Sequence, residues 1–340
     1  MDLLPSAEQL EIVSAAREFL AERVPVEQIR ADRDKPSAIR AEVWREGTEM
    51  GLLTLGLPIE FGGSGSGFDD EVLLHTELGR SLAPGAFLAG TLGARVAALC
   101  GDGELAHDIG SGESSVALAV LRGDGEARNV KGTFDLFDSS GARYALLVAR
   151  SGAALVDIVE FGERVAVASA DPGVRVASAT VESAKPLHWV SADTEWMWGR
   201  AVLLTAAYLT GIALAAAEAA TEHAKHRVQF GKPIGANQAI KHRCVDMAVA
   251  AEAAQAQTYF AAIALDIKRG DALLQVLSAA TVAGAAAVDN AAAGIQVFGG
   301  MGYTFENDMH LYLKRAHVFL HLFAEPAELL AELLAQDRAQ

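Results

Sequence analysis

Cysteine is scarce: the 340 residues hold two, Cys100 and Cys244. Two thiols make no disulfide framework and no zinc site by themselves, so a reducing cytoplasm is the simplest compartment. Both lie in apolar or helical stretches, where a buried free thiol is expected. Basic charge is short as well. With 28 Lys+Arg against 44 Asp+Glu the formal net charge is −16. That balance argues against binding nucleic acid or an anionic membrane through bulk charge, and leaves room for a local phosphate site. The opening MDLLPSAEQLEIV has no basic segment followed by an apolar core, so no signal peptide is expected. The most membrane-like run, residues 201–217, is uncharged but stops short of the ~18 apolar residues of a spanning helix. It contains Thr205, Tyr208, Thr210 and Gly211, and reads as a bundle helix packed on all sides.

What is present is apolar material: 51% hydrophobic against 21% charged residues, which excludes disorder. At ~150 residues per domain the length suggests two or three compact units. Helical spacing marks Ala7 onward, with Ser6 as N-cap, then Ala41–Met50, Asp70–Leu82 and Ala86–Ala98. From Ser115 to about Pro186 short β-branched or alternating runs (SVALAVL, ARYALLVAR, RVAVASA, VRVASATV) predict an antiparallel sheet or small barrel. Long Ala-rich helices follow over 193–227, 237–267 and 271–297, with shorter ones near 307–318 and 326–334. Helices, then strands, then helices predict an α+β fold in separate layers: residues 1–113, 114–190 and 191–340.

Several constellations carry little chemistry. The glycines of residues 63–67 lack a GK[ST] and a leading strand, so a surface turn is expected. His317/His321 and His223/His226 have no accompanying carboxylates at metal-ligand spacing. There is no GxSxG nucleophile elbow.

Two segments are informative. In His226-Arg227-Val228-Gln229-Phe230-Gly231-Lys232-Pro233-Ile234, Gly231 is expected to stop the long helix and Pro233 to enforce the stop. Arg227 either complements the helix dipole or offers a planar fork of donors to a pyrophosphate. Phe230 would then cover a ring or ribose. Some 65 residues later, Gln296-Val297-Phe298-Gly299-Gly300-Met301-Gly302 places a flexible turn after a helix, with an amide able to pair with an adenine edge. Arg-x-x-Phe-Gly followed by Gln-x-x-Gly-Gly-x-Gly is far more specific than either piece.

With LPIEFGGSGSGFDD, ELGRSLAPG, RVQFGKPI and QVFGGMGYTFEND, the chain resembles the acyl-CoA dehydrogenases over nearly its whole length. The resemblance implies an N-terminal helical domain, a middle β domain and a C-terminal four-helix bundle, with FAD as cofactor. It also implies that these motifs reach across a subunit interface to a neighbour's FAD. Matched position by position, the implied FAD contacts are Arg227, Gln229, Phe230, Ile234, Asn237, Gln296 and Gly300.

The chain departs from that family where the chemistry happens. The family's glutamate base stands at one of two places. One lies ten residues before Gly211, which is Ala201 here; the other falls at Phe323-Ala324. Neither is acidic. Glu325 is the fallback, although Pro326 follows it, and Glu195 lies six residues from Ala201, about 9 Å away if helical. The family's Thr-Glu-Pro-x-Ala-Gly-Ser-Asp segment, which holds the flavin ring, is replaced by SSVALAVLRGDGEARNV. The expectation is therefore a cytoplasmic subunit of a heteromeric, α2β2 acyl-CoA dehydrogenase whose homologous partner brings the base. Similar paired-subunit members act on steroid or other bulky CoA esters in actinobacteria, and electron-transfer flavoprotein or a similar protein is the expected acceptor. The alternatives are a self-sufficient homotetramer using Glu325 and a non-catalytic scaffold.

Overall fold

The computed structural model describes residues 4–336; residues 1–3 and 337–340, at the ends of the expected first and last domains, lie outside the described residues. Six helices come first: α1 (Ala7–Arg23), α2 (Glu27–Ala31), α3 (Ala41–Glu49), α4 (Phe68–Arg80), α5 (Ala86–Leu99) and α6 (Gly103–Gly110). α1 starts where the sequence places its cap. The Gln9 N–H donates to Ser6 Oγ at 3.2 Å, and the Ser6 N–H donates back to Gln9 Oε1 at 2.8 Å, satisfying two orphan donors reciprocally.

Seven strands follow: β1 (Val116–Glu126), β2 (Lys131–Phe137), β3 (Tyr144–Ala149), β4 (Gly152–Asp157), β5 (Val165–Val167), β6 (Val176–Val181) and β7 (His188–Ser191). They form one sheet in the order β5-β6-β2-β1-β3-β4-β7. The sheet is not wholly antiparallel, as the alternating runs suggested. β1 and β3 are parallel from Val116↔Tyr144 to Ala119↔Leu147. The reason is topological: β2 folds back along one edge of β1, and the chain then returns to start β3 beside β1's other edge in β1's own direction. Alternation along the strands sorts side chains to two faces. Val116, Leu118, Leu146 and Leu155 join the helical core, while Ala117, Ala119, Ala145, Leu147 and Val156 join Phe134 and Phe161 in a second core.

The chain then enters α7 (Met197–His226), a two-stranded hairpin of β8 (Val228–Gln229) and β9 (Lys232–Pro233), α8 (Gln238–Asp266), α9 (Ala272–Phe298), α10 (Met309–Leu320) and α11 (Pro326–Ala335). By length and composition α7 and residues 272–303 could cross a membrane; in α7, 83% of the most apolar window is buried against protein. α4 crosses α7 backbone to backbone. A Cβ on Gly79 would meet the Tyr208 carbonyl oxygen at 1.9 Å, and one on Gly211 would meet that of Thr76 at 2.0 Å. That crossing explains why Gly211 is a glycine.

Arg315 ties the layers together. Fully buried, it ion-pairs with the equally buried Asp171 and donates to the carbonyls of Leu82 (2.6 Å) and Ala83 (3.0 Å) and to Tyr208 Oη (2.6 Å). These partners come from the helical N-terminal part, the loop between β5 and β6, and α7. The aspartate and the neighbouring oxygens hold the Arg315 guanidinium charged despite the cost of its burial.

Candidate functional site

α7 does not run to Gly231. It ends at His226, with Arg227 as an extended C-cap residue whose N–H donates to the His223 carbonyl at 2.8 Å. Phe230 and Gly231 instead form the tip of the β8–β9 hairpin, both with left-handed φ, +52° and +78°. Two successive positive φ values turn a short hairpin with the twist its strands need, so Gly231 serves a turn and Pro233 lies in a strand. The Ile234 N–H donates to the Arg227 carbonyl at 2.8 Å and closes the base of the hairpin.

This arrangement presents Arg227, Gln229 and Phe230 outward, while Ile234 and Asn237 are half-buried and Ile234 packs against the helical core. Phe230 is 98% exposed. Arg227 is exposed, and among the described residues no carboxylate or carbonyl engages its guanidinium. Asn237 is the N-cap residue of α8, yet its side chain makes no capping hydrogen bond. The Gln229 amide reaches its neighbour Val228's carbonyl at 2.8 Å.

The second motif meets the first. α7 and α9, with α8 between them, run in the same direction and end side by side: His223 in the last turn of α7 stacks on Phe298, with ring centroids 4.1 Å apart and planes at 18°. Gln296, exposed, lies two residues before Phe298. The three glycines that follow have different reasons to be glycine. Gly299 has φ +63°. A Cβ on Gly302 would meet the Ile295 carbonyl oxygen at 2.4 Å. A Cβ on Gly300 would meet nothing within 4 Å, and Gly300 is exposed. No contact within the chain requires glycine there, which suits a backbone approached by a ligand from outside.

The positions of the expected base lie at the other end of α7. Ala201 and Arg227 are 26 residues apart on one helix, about 39 Å at 1.5 Å per residue. A cleft of about 1050 Å³ lies between the sheet and the end of the bundle. Its sheet wall includes Val120, Arg122 and Asp135, and its helical wall includes Trp198, Phe323 and Glu325. Ala201 is fully buried and is not among the lining residues. Phe323 and Ala324 line the cleft as apolar side chains. Glu325 lines it too, as the N-cap residue of α11, and its carboxylate accepts from His321 Nδ1 at 2.8 Å. On the sheet wall Arg122, from the segment where the resemblance implies a flavin-ring motif, ion-pairs with Asp135 across β1 and β2.

Sequence reasoning missed an ionic network beside Ala201, in which Glu71 is buried and Arg95, Glu195 and Arg200 are half-buried. Arg200 ion-pairs with Glu71 and lies 3.3 Å from Glu195, and Arg95 grips Glu195, with Nη2 to Oε2 at 3.0 Å. Burial pushes the Glu71 carboxyl above its usual range and lowers the Arg200 guanidinium. The signal was partial: Arg95 and Arg200 are lone charges within otherwise apolar helical stretches, whereas Glu71 stands beside Asp69 and Asp70. Glu195 is not helical, since α7 begins at Met197; it is spent on the two arginines. His75, one turn after Glu71, donates Nδ1–H to the Glu71 carbonyl at 2.9 Å, and burial lowers its pKa to about 4. Nor is Cys100 buried: it is exposed just past α5, and Cys244 is half-buried on α8.

Among the described residues no group of three or more His, Cys, Asp or Glu is placed to hold a metal ion. Residues 6–107 match the model of the acyl-CoA dehydrogenase N-terminal domain, and residues 189–322 that of the C-terminal domain. The Mycobacterium tuberculosis acyl-CoA dehydrogenase IpdE2 is 32% identical over 324 residues, covering 92% of this chain and 94% of its own. Among solved structures, a chain of the ChsE4-ChsE5 complex from Mycobacterium tuberculosis superposes with TM-score 0.85 at 22% identity, covering 100% of both chains. A chain of the Tcur3481-Tcur3483 steroid ACAD G363A variant superposes with TM-score 0.84 at 23% identity, covering 96% of each. The last two likenesses establish the fold.

Proposed function

The chain belongs to the acyl-CoA dehydrogenase family, and from that premise we propose that it is the base-free subunit of a heteromeric, cytoplasmic acyl-CoA dehydrogenase, of α2β2 form. FAD is the cofactor, and the chemistry it supplies is acceptance of the hydride leaving the acyl β-carbon. A homologous partner provides the glutamate that takes the α-proton and the pocket for the flavin ring. This chain provides the grip on the other half of the cofactor. The Arg227 guanidinium would hold the pyrophosphate, Phe230 and Ile234 would lie against the adenosine, and the amides of Gln229, Asn237 and Gln296 would supply polar contacts. Gly300 lets the backbone come close.

One observation carries the reading: the chain's two ends are unequal. The Arg227 end is exposed and unpaired, whereas at the other end of α7 both family base positions are apolar, Ala201 buried and Phe323 lining the cleft, and Arg122–Asp135 stands on the sheet wall. The names of the ChsE4-ChsE5 and Tcur3481-Tcur3483 structures, each pairing two proteins, support a heteromer by analogy. The steroid named in one of them, and a cleft of about 1050 Å³ with apolar Phe323 and Ala324 at a family base position, support a bulky CoA ester as substrate; electron-transfer flavoprotein or a similar protein as acceptor follows from the family alone.

Glu325 favours a second reading, since it is the acidic residue at the cleft nearest a family base position. Its carboxylate is drawn to His321 and Pro326 follows it, so the reading with a partner stands ahead. A pure scaffold is the third. Arg227→Ala in the co-purified complex separates the proposal from the scaffold: loss of FAD with the partner still bound supports the proposal, and full FAD content supports a scaffold; turnover by the chain alone, abolished by Glu325→Gln, would support the second reading.

A further inference from the structure

We infer that His223 is a positioning residue, whose flat ring fixes the glycine turn of α9 against Arg227 so that both engage one FAD. The inference rests on the reading that Arg227 and Gly300 hold that cofactor.

His223 acts on both motifs. Through its backbone, its carbonyl accepts the Arg227 N–H at 2.8 Å and sets the last bond of α7 before the arginine. Through its side chain, the imidazole lies on Phe298 at 4.1 Å and 18°. Phe298 immediately precedes Gly299, whose left-handed φ opens the turn carrying Gly300. Farther along the turn Gly302 rests on the Ile295 backbone, but around Gly299 and Gly300 themselves a Cβ would meet nothing within 4 Å, so the start of the turn depends on how Phe298 is held. The ring makes no hydrogen bond to any described residue, so stacking is what it contributes. Burial, with the charge of Arg227 nearby, lowers its pKa.

Geometry makes the contact matter. The guanidinium and the glycine turn come from helix ends 73 residues apart, Arg227 and Gly300. They must contact different parts of one ligand, and misplacing either by about 1 Å loses affinity out of proportion to the contact itself.

The test uses the co-expressed complex and reads FAD affinity by flavin fluorescence titration of the apo-complex, with its thermal midpoint as the control for folding. His223→Leu keeps apolar bulk and loses the flat ring; it is expected to weaken FAD binding about tenfold, the size of an aromatic pair, with an unchanged midpoint. His223→Phe keeps the stack and is expected to bind as the wild type does. Wild-type affinity in His223→Leu, or equal weakening in His223→Phe, overturns the positioning role. Arg227→Ala runs beside them. If it also binds FAD normally, the cofactor reading fails and the positioning role falls with it; if it loses FAD while His223→Leu does not, the positioning role alone is overturned.

Discussion

Trp198 donates its indole N–H to the carbonyl oxygen of Phe323 at 3.0 Å. That bond joins the two places to which the resemblance assigns the family's base, because Trp198 lies one turn before Ala201 on α7 and Phe323 is the alternative position. The structure thus brings both to the same end of the bundle, and neither carries a carboxylate.

Ala201 shows that the first place is filled. It is fully buried and outside the cleft lining. Ala201→Glu is expected to cost about 3 kcal/mol or more, the penalty of a buried unpaired carboxylate, without creating turnover in the isolated chain. Denaturant unfolding and a dye-reduction assay check both parts; a stable, active variant would contradict this.

The glycines of the α9 turn are expected to separate folding from binding. Gly302→Ala must displace the Ile295 carbonyl, so a loss of about 1–3 kcal/mol in unfolding free energy is expected. Gly300→Ala, with open space around the new methyl, is expected to change stability by no more than about 0.5 kcal/mol. It should nevertheless lower the FAD content of the complex. Equal stability losses in the two variants would show that Gly300 serves packing.

Arg315 is expected to be a clamp of the fold with no part in cofactor binding. Arg315→Leu strands the buried Asp171 carboxylate and frees three further acceptors, so a loss of about 3–5 kcal/mol is expected in chemical denaturation. A loss under about 1 kcal/mol would show that Asp171 finds water or another partner.

His75 sets a pH dependence whose sign follows from its burial. Its folded pKa, about 4, lies below the ordinary 6.5, so as pH falls the unfolded chain takes up the proton first. The contribution is intact above about pH 6.5 and is lost as pH falls toward 4, by about 3 kcal/mol at most. His75→Gln should shrink the difference in unfolding free energy between pH 7 and pH 4.5. An unchanged difference would assign the acid sensitivity to other groups.

Much of this was legible in residue order. The long Ala-rich runs placed α8 and α9 within a residue or two, and the Arg227 and Gln296 motifs were visible because their residue types are unusual together. Other features depend on partners remote in sequence. The parallel β1–β3 pair comes from the side on which β2 folds back, which no period within a strand encodes. The Phe230–Gly231 hairpin tip lacks the Asn-Gly signature that marks such turns, so Gly231 read as a helix stop. Glu71, Arg95, Glu195 and Arg200 are ordinary charges until three helices bring them together.

The most direct measurement is acyl-CoA-dependent dye reduction by the purified chain alone and by the chain co-expressed with a homologous partner. The account predicts poor flavin retention and no turnover for the chain alone, with turnover appearing in the complex and unaffected by Glu325→Gln. A yellow, active isolated chain whose turnover is abolished by Glu325→Gln would contradict it.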